Sequence, residues 1–275
     1  VLIIIIALSW GCTNQTSIQN VEQWDVYELT TDGPQTGNPF MDVEFAAVFS
    51  NKRENIKVPG FYDGNGTYRI RFSPPGQGTW NYRTISNVPE LSDIKGKFSC
   101  IKPSGKNHGP VRIVNTYYLE YADGTPFYSV GTTAYQWTSV KQSIQDKTIE
   151  TLSKAPFNKI RMCFFPKWYR YGNDTEPWVY PFKREEGRNE FTQPDYIYFQ
   201  NFDRRVQQLL EMGIEADVIL FHEYDKWGYF EMGNEMNERY VRYMIARISA
   251  YRNVWWSLAN EWDILIPCDV FPVGV

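Results

Sequence analysis

Apolar strands that alternate with amphipathic helices over residues 127–261 are the feature that most constrains this fold. The apolar runs at 127–131, 159–165, 216–221 and 254–259 predict four buried strands. Strands of this kind, when helices connect them, imply a parallel sheet that is covered by helices. We therefore expect either a (β/α)8 barrel or an open doubly wound sheet.

Three helices are predicted between these strands. The first covers 148–155 and the third covers 241–248. The second has Phe202 and Val206 at i and i+4, a spacing that places both side chains on one helix face. Residues 166–198, before the second helix, are predicted to form a long loop. No Gly-x-Gly-x-x-Gly motif follows the first strand, so a nucleotide-binding sheet gains no support.

The first part of the chain has a different character. Residues 20–102 contain short alternating runs, such as 67–72, which are separated by Gly, Pro and Asn-rich turns. This spacing predicts a β-sandwich. A polar stretch at 103–110 is the predicted linker. The expected fold class is thus multidomain β plus α/β, an N-terminal β-sandwich followed in 111–275 by the first half of a (β/α)8 TIM barrel.

The number of strands indicates only half a barrel. A barrel needs eight strand–helix units, whereas four strands occupy the chain up to residue 261. The tail at 264–275 has two prolines and no helical period, so it does not resemble the next helix. We therefore expect a fragment with an atypical tail.

Residues 1–19 resemble a partial bacterial lipoprotein signal and tether. The apolar run at 1–8 is shorter than the roughly 20 residues that span a bilayer. It is followed by Cys12 and a polar segment, as in a signal with a lipidated cysteine. Acyl chains on Cys12 would anchor the protein to a membrane. The alternative is a buried strand with an incidental cysteine.

The composition excludes several classes of protein. A net charge of −4 with no basic stripe argues against a nucleic-acid partner. The chain has 2 histidines, and its 4 cysteines form no Cys-x-x-Cys pair, so no metal or other cofactor is predicted. The 10 tryptophans and 19 tyrosines either fill cores or present ring faces to sugars.

Polar residues follow the predicted strands. Arg161 lies in the second strand, His222 and Glu223 end the third, and Asn260 and Glu261 end the fourth. Barrel enzymes build their active sites at the carboxyl ends of strands. Each residue also has a structural alternative: a buried ion pair for Arg161, a core histidine for His222, a solvated loop for Glu223, and a helix cap for Glu261.

Glu261 is the strongest catalytic candidate. A carboxyl group beside Trp262 and at the end of an apolar strand is expected to be poorly solvated, which favours its protonated form. Such a group can give a proton to a leaving oxygen. Asn260 cannot ionise, and its amide can donate hydrogen bonds to a sugar hydroxyl.

Ordered segments of the chain resemble the apiosidase-like group of glycoside hydrolases in the retaining (β/α)8 clan. They are 123–134, 159–162 and 253–261 in the second domain. The segments 60–64 and 78–80 resemble the N-terminal β-sandwich domain of unknown function that such proteins often carry. The resemblance covers most of residues 20–262 and implies a glycosidase of complex plant or other polysaccharides.

The resemblance also implies roles for single residues. In that clan the Glu of the Asn-Glu pair is the general acid/base, which here is Glu261, and a Glu after strand seven is the nucleophile. Thr132 stands where the group has an acidic residue, and no seventh strand is present, so we expect this chain alone to be inactive. The residues expected to bind substrate, with three tryptophans as a sugar platform, are Asn260, Arg161, His222, Trp137, Trp168, Trp227 and Glu223.

Two other functions stay open at this stage. A non-catalytic surface glycan-binding lipoprotein fits the aromatic loops and Cys12 equally well, whereas a barrel lyase or metal-dependent hydrolase is disfavoured by the shortage of histidines. Apiosides, galactofuranosides and other pectic linkages are all possible substrates. The resemblance and Cys12 together predict a lipid-anchored protein in the periplasm or on the outer-membrane surface of a Gram-negative bacterium.

Overall fold

The computed structural model describes residues 18–168, 176–222 and 225–261. Within these ranges the chain is mostly β-strand, with a few helices, and none of those helices is long and apolar enough to cross a membrane. The strands are β1 Asn20–Glu22, β2 Tyr27–Asp32, β3 Phe45–Ser50, β4 Asn55–Pro59, β5 Phe61–Tyr62, β6 Thr67–Phe72, β7 Gly78–Ser86, β8 Lys95–Ile101, β9 Val111–Val114, β10 Tyr118–Tyr121, β11 Gly131–Thr133, β12 Lys159–Cys163, β13 Phe182–Glu185, β14 Arg188–Pro194, β15 Glu215–His222 and β16 Val254–Asn260. The helices are α1 Pro39–Asp42, α2 Gln142–Leu152, α3 Tyr196–Met212 and α4 Gly233–Ile248.

Two sheets in the first part of the chain share one apolar core. One sheet has the strand order β1-β8-β7-β3-β4, and the other has the order β2-β6-β5. Aromatic rings from both sheets meet in the core: Tyr27 stacks on Phe98, and Phe49 stacks on Phe72, each with ring centroids 4.2 Å apart. Burial of these large rings stabilises this domain.

The second part of the chain contains a four-stranded parallel sheet in chain order, β11-β12-β15-β16. One face is apolar and packs on the helices, since Ile160, Met162 and Val218 share a core with Val206 of α3 and Ile248 of α4. Strand residues alternate between faces, so Lys159, Arg161, Glu215, Asp217 and Trp255 share the opposite face. The alternation of strands and helices predicted from the sequence is confirmed.

Several predicted boundaries were wrong. The first strand starts at Gly131, not 127, because the backbone N–H of Phe127 bonds to the carbonyl of Leu119 instead, at 2.9 Å. Helix α2 starts at Gln142, six residues early, and no side chain caps its start. The predicted loop at 166–198 contains the hairpin β13–β14, whose tight turn includes Gly187 at φ +80°.

The stretch at 103–110 is packed and hydrogen-bonded to the first domain. Asn107 is buried, and its Nδ2 donates to Glu22 Oε2 at 3.0 Å and to the carbonyl of Gln23 at 2.9 Å. His108 Nδ1 lies 2.7 Å from Asp123 Oδ2. The stretch therefore joins the two parts of the chain firmly.

An interdomain ion cluster, formed by Asp63, Arg71, Asp203 and Arg247, connects the first domain to α3 and α4. Arg71 Nη1 and Arg247 Nη2 contact Asp203 Oδ2 at 2.7 and 2.6 Å, and Arg247 Nη1 contacts Asp63 Oδ1 at 2.8 Å. All four side chains are buried. Two positive and two negative charges neutralise each other, which buried ions require.

Another buried carboxyl group lies at the amino end of the parallel sheet. Trp255 Nε1 donates to Glu215 Oε2 at 2.8 Å, and Lys159 Nζ lies 4.3 Å from the Trp255 ring centroid. Burial raises the pKa of Glu215 to about 7, against the smaller effects of that hydrogen bond and of nearby cations.

We expect Asp203→Asn to lower the free energy of unfolding by about 3–5 kcal/mol, because it leaves the buried guanidinium groups of Arg71 and Arg247 short of negative charge. Urea denaturation followed by circular dichroism measures the change. Glu238→Gln is the matched control, since Glu238 pairs with Arg242 on the exposed surface of α4, where a pair contributes about 0–1 kcal/mol. Equal effects of the two substitutions would contradict the importance of the cluster.

We expect Glu215→Gln to remove part of the pH dependence of stability. The folded pKa of about 7 lies above the usual 4.5. The native state therefore holds the proton more tightly, and the resulting stability is complete below pH 4.5 and is lost as the pH rises through 7. Gln stays neutral, so the variant does not lose this stability as the pH rises. Its urea midpoint should therefore increase relative to that of wild type over this window. A constant difference would rule the titration out.

Candidate functional site

The carboxyl ends of the four parallel strands lie at one edge of the sheet. The last residues of the four strands at this edge are Thr133, Cys163, His222 and Asn260. The register places His222 beside Asn260 on neighbouring strands. Polar groups that are far apart in sequence therefore meet here, as predicted from the strand ends.

Asn260 is the centre of this site. Its side chain is buried, and its Oδ1 lies 3.4 Å from the Tyr135 hydroxyl and 3.5 Å from Arg161 Nη2. Both donors come from other strands or their following loops. The structure thus brings together two predicted residues, Asn260 and Arg161, and adds Tyr135.

Arg161 also forms an ion pair, which was the structural alternative to a role in substrate binding. Its Nη1 lies 3.3 Å from Asp217 Oδ2, and its Nη2 lies 3.2 Å from Ser257 Oγ. Asp217 is buried, and its Oδ2 also meets Lys159 Nζ at 2.9 Å. One half-buried guanidinium therefore connects the buried carboxylate of Asp217 to the amide of Asn260.

Glu261 follows β16 directly, and its side chain is exposed. The prediction that the Glu261 carboxyl group is poorly solvated is thus wrong, because the end of β16 is open to solvent. Its backbone has φ +51°, a left-handed conformation that is uncommon outside glycine. Local strain of this kind is concentrated at functional sites, so it motivates a catalytic hypothesis.

His222 is buried, and its Nε2 lies 3.4 Å from the carbonyl oxygen of Phe165. Burial lowers the pKa of His222 to about 4, and the positive charge of Lys167 lowers it further. The imidazole is therefore neutral near pH 7. This environment matches a buried core histidine, and a role in substrate binding stays a prediction.

Two of the three predicted platform tryptophans are packed in the core. Trp137 is buried, and its indole N–H lies 3.1 Å from Met162 Sδ. Trp227 is buried, and its N–H donates to Glu176 Oε2 at 2.8 Å. The loops fold back over the sheet, so these rings offer no open face, which corrects the prediction. Trp168 is 37% exposed and keeps a usable surface.

Asp225 stabilises its own loop. Its Oδ1 accepts the backbone N–H groups of Trp227 at 2.5 Å and Gly228 at 2.6 Å, and its Oδ2 accepts that of Tyr229 at 3.3 Å. Burial raises the pKa of Asp225, and these bonds oppose the shift. Its oxygens thus accept N–H groups from the segment that leads into a 3₁₀ helix, Tyr229–Met232. The predicted residues Glu223 and Cys12, and the tail at 264–275, lie outside the described residues.

Sequence reasoning missed Tyr135, Lys167 and Asp217. Lys167 is buried with its Nζ 5.7 Å from the Tyr135 ring centroid, and burial lowers its pKa while the negative charge of Glu261 acts in the opposite direction. Tyr135 and Lys167 both lie just after strand ends, and this position in the sequence could have identified them as candidate site residues. Asp217 interrupts an apolar run, and buried carboxylates are rare without partners.

Two parts of the chain match families of known proteins. Residues 20–87 match the family described as a domain of unknown function, DUF5060, and residues 114–267 match the family "Apiosidase-like, catalytic domain". The chain is 45% identical to a candidate glycoside hydrolase from Bacteroides vulgatus ATCC 8482 of known crystal structure, with a TM-score of 0.85. That match covers 89% of this chain and 50% of the other, so this chain spans half of its relative's length.

More distant structures are also glycoside hydrolases. A family 5 glycoside hydrolase from Bacteroides vulgatus is 15% identical, with a TM-score of 0.40 over 54% of this chain and 32% of that one. An endo-1,4-beta-mannanase from Rhizomucor miehei is 17% identical, with a TM-score of 0.36 over 56% of this chain and 47% of that one. These likenesses are too weak to carry an argument. No curated protein matches.

The resemblance predicted from the sequence is confirmed at the level of the family. The catalytic-domain match covers more than half of the chain, and its bounds include every described residue of the parallel sheet and of the polar site at its edge. Together with the 45% identical relative, this match establishes that the chain belongs to the apiosidase-like family of glycoside-hydrolase-like catalytic domains, preceded by a DUF5060 domain.

Proposed function

We propose that this chain carries the acid/base side of the active site of a retaining glycoside hydrolase. In this proposal Glu261 is the general acid/base, and Asn260 orients the sugar. The observation that carries it is the Asn260-Glu261 pair at the carboxyl end of β16, where Arg161 and Tyr135 hold the Asn260 amide. Membership of the apiosidase-like family supports a glycoside as the substrate.

The architecture supports the same proposal. Four parallel strands in chain order, with helices on one face, are what the first half of a (β/α)8 barrel requires. The two sheets with a shared core in the first domain support the proposal of an N-terminal β-sandwich. We infer that the active enzyme is a longer protein, since this chain spans half of its relative's length.

A retaining mechanism needs a second carboxylate, about 5–5.5 Å from the first. Asp225 is a poor candidate, because three backbone N–H groups occupy its oxygens. We infer that the nucleophile comes from the part of the longer protein that would complete the barrel.

A complex polysaccharide of plant or other origin is the proposed substrate, and the exposed Trp168 offers a ring face for one of its sugars.

We further propose a lipid anchor on Cys12, which would place the protein in the periplasm or on the outer-membrane surface of a Gram-negative bacterium. The supporting observation is the apolar run before Cys12. Cells expressing the protein should incorporate radioactive palmitate into it, and Cys12→Ser should abolish the labelling. Equal labelling of both proteins would refute the anchor.

We expect Glu261→Gln, made in the longer protein, to lower kcat on alkyl glycosides by about 10²–10⁴-fold, as loss of a general acid does. Aryl glycosides with good leaving groups need less protonation, so their bond-cleavage step should be affected less. A panel of 4-nitrophenyl and methyl glycosides measures both rates.

Glu238→Gln is the matched control, since Glu238 is exposed on α4, and it should leave both rates unchanged.

The first-formed product, followed by NMR, should keep the anomeric configuration of the substrate, and inversion would refute the mechanism. The 275-residue chain alone should show no turnover. If this chain shows turnover and Glu261→Gln abolishes it, a second catalytic carboxylate must lie within the chain. If the longer protein binds sugar without turnover, a glycan-binding function is favoured.

A further inference from the structure

The orientation of the Asn260 amide is fixed by its neighbours. A guanidinium has only N–H donors, so the amide atom that faces Arg161 Nη2 at 3.5 Å must be the oxygen. The hydroxyl of Tyr135 donates to the same Oδ1 at 3.4 Å. Of the two flipped states of the amide, only one satisfies both contacts, and it turns the Nδ2 donors away from Arg161.

Arg161 is itself held in place from the sheet. Asp217 lies opposite it in the register of β12 and β15, and accepts its Nη1 at 3.3 Å. Ser257 Oγ lies 3.2 Å from Nη2. Asp217 is buried and is held by Lys159 on its other side, at 2.9 Å. The carboxylate thus directs the Nη2 side of the guanidinium towards Asn260.

We propose that Tyr135 and Asp217 are positioning residues for the Asn260 amide, Tyr135 directly and Asp217 through Arg161. They determine which atoms of Asn260 face a sugar hydroxyl, and neither is required to touch the substrate. The role in catalysis rests on the proposed function, whereas the control of the amide does not. Contacts of 3.3–3.5 Å are long, as catalytic hydrogen bonds often are before substrate binds.

The test compares Tyr135→Phe and Asp217→Asn with the control Tyr128→Phe, whose ring is exposed. In ¹⁵N-labelled protein, the side-chain amide signal of Asn260 is assigned by its loss in Asn260→Ala. Both test variants should shift this signal and speed its proton exchange with water. Asp217→Asn should also merge the separate Nη signals of Arg161, since the guanidinium can then rotate. The control should change neither.

An Asn260 signal that is unchanged in Tyr135→Phe and in Asp217→Asn would overturn the proposal. Tyr135→Phe removes a single oxygen, so it tests the idea even if Asp217→Asn fails to fold. In the longer protein, with the 4-nitrophenyl glycoside that it cleaves best as probe, both variants should lower kcat and leave KM nearly unchanged, because such bonds strengthen in the transition state. A shifted Asn260 signal together with methyl-glycoside turnover that survives Glu261→Gln would refute the proposed function and leave the positioning intact.

Discussion

The interdomain ion cluster is the constraint on which the rest of this structure depends. Arg71 from the first domain and Arg247 from α4 share the carboxylate of Asp203 on α3. Buried charges are costly unless they are paired in good geometry, so the cluster favours this position of α3 and α4 against the first domain. A hydrogen bond from the Tyr243 hydroxyl to the carbonyl of Tyr62, at 2.7 Å, adds to the same contact. Because α3 and α4 cover the apolar face of the parallel sheet, the cluster also fixes the sheet.

The two faces of that sheet differ in composition, since one packs in the core and the other carries residues of the proposed site. The face towards the helices is apolar and buried, with Ile160 and Val218 in its core. The other face carries Asp217 and Arg161, and the Arg161 guanidinium reaches Asn260 at the end of β16. Side chains on strands are held more rigidly than those on loops, which favours accurate placement of the Asn260 amide.

The sequence predicted the order of strands and helices because apolar periodicity depends on burial, and burial is what the sheet and helices share. It also predicted that Arg161 and Asn260 would meet, since parallel strands place their carboxyl ends together. It did not predict that Trp137 and Trp227 are packed, because periodicity says nothing about how a loop folds back. Asp217 interrupts the apolar run of its strand, but it was passed over because periodicity does not show which partner a single carboxylate has.

Glu261 adopts a left-handed backbone at φ +51°, where glycine has no steric cost and asparagine a small one. Selection for a carboxyl group can maintain a glutamate at such a position against this cost. If Glu261 has the proposed acid/base role, that selection would cease in a descendant that kept sugar binding but lost hydrolysis, and Gly or Asn would be the residues that drift into the position most readily. The residue after the strand-end asparagine in related chains would then record whether catalysis has been retained.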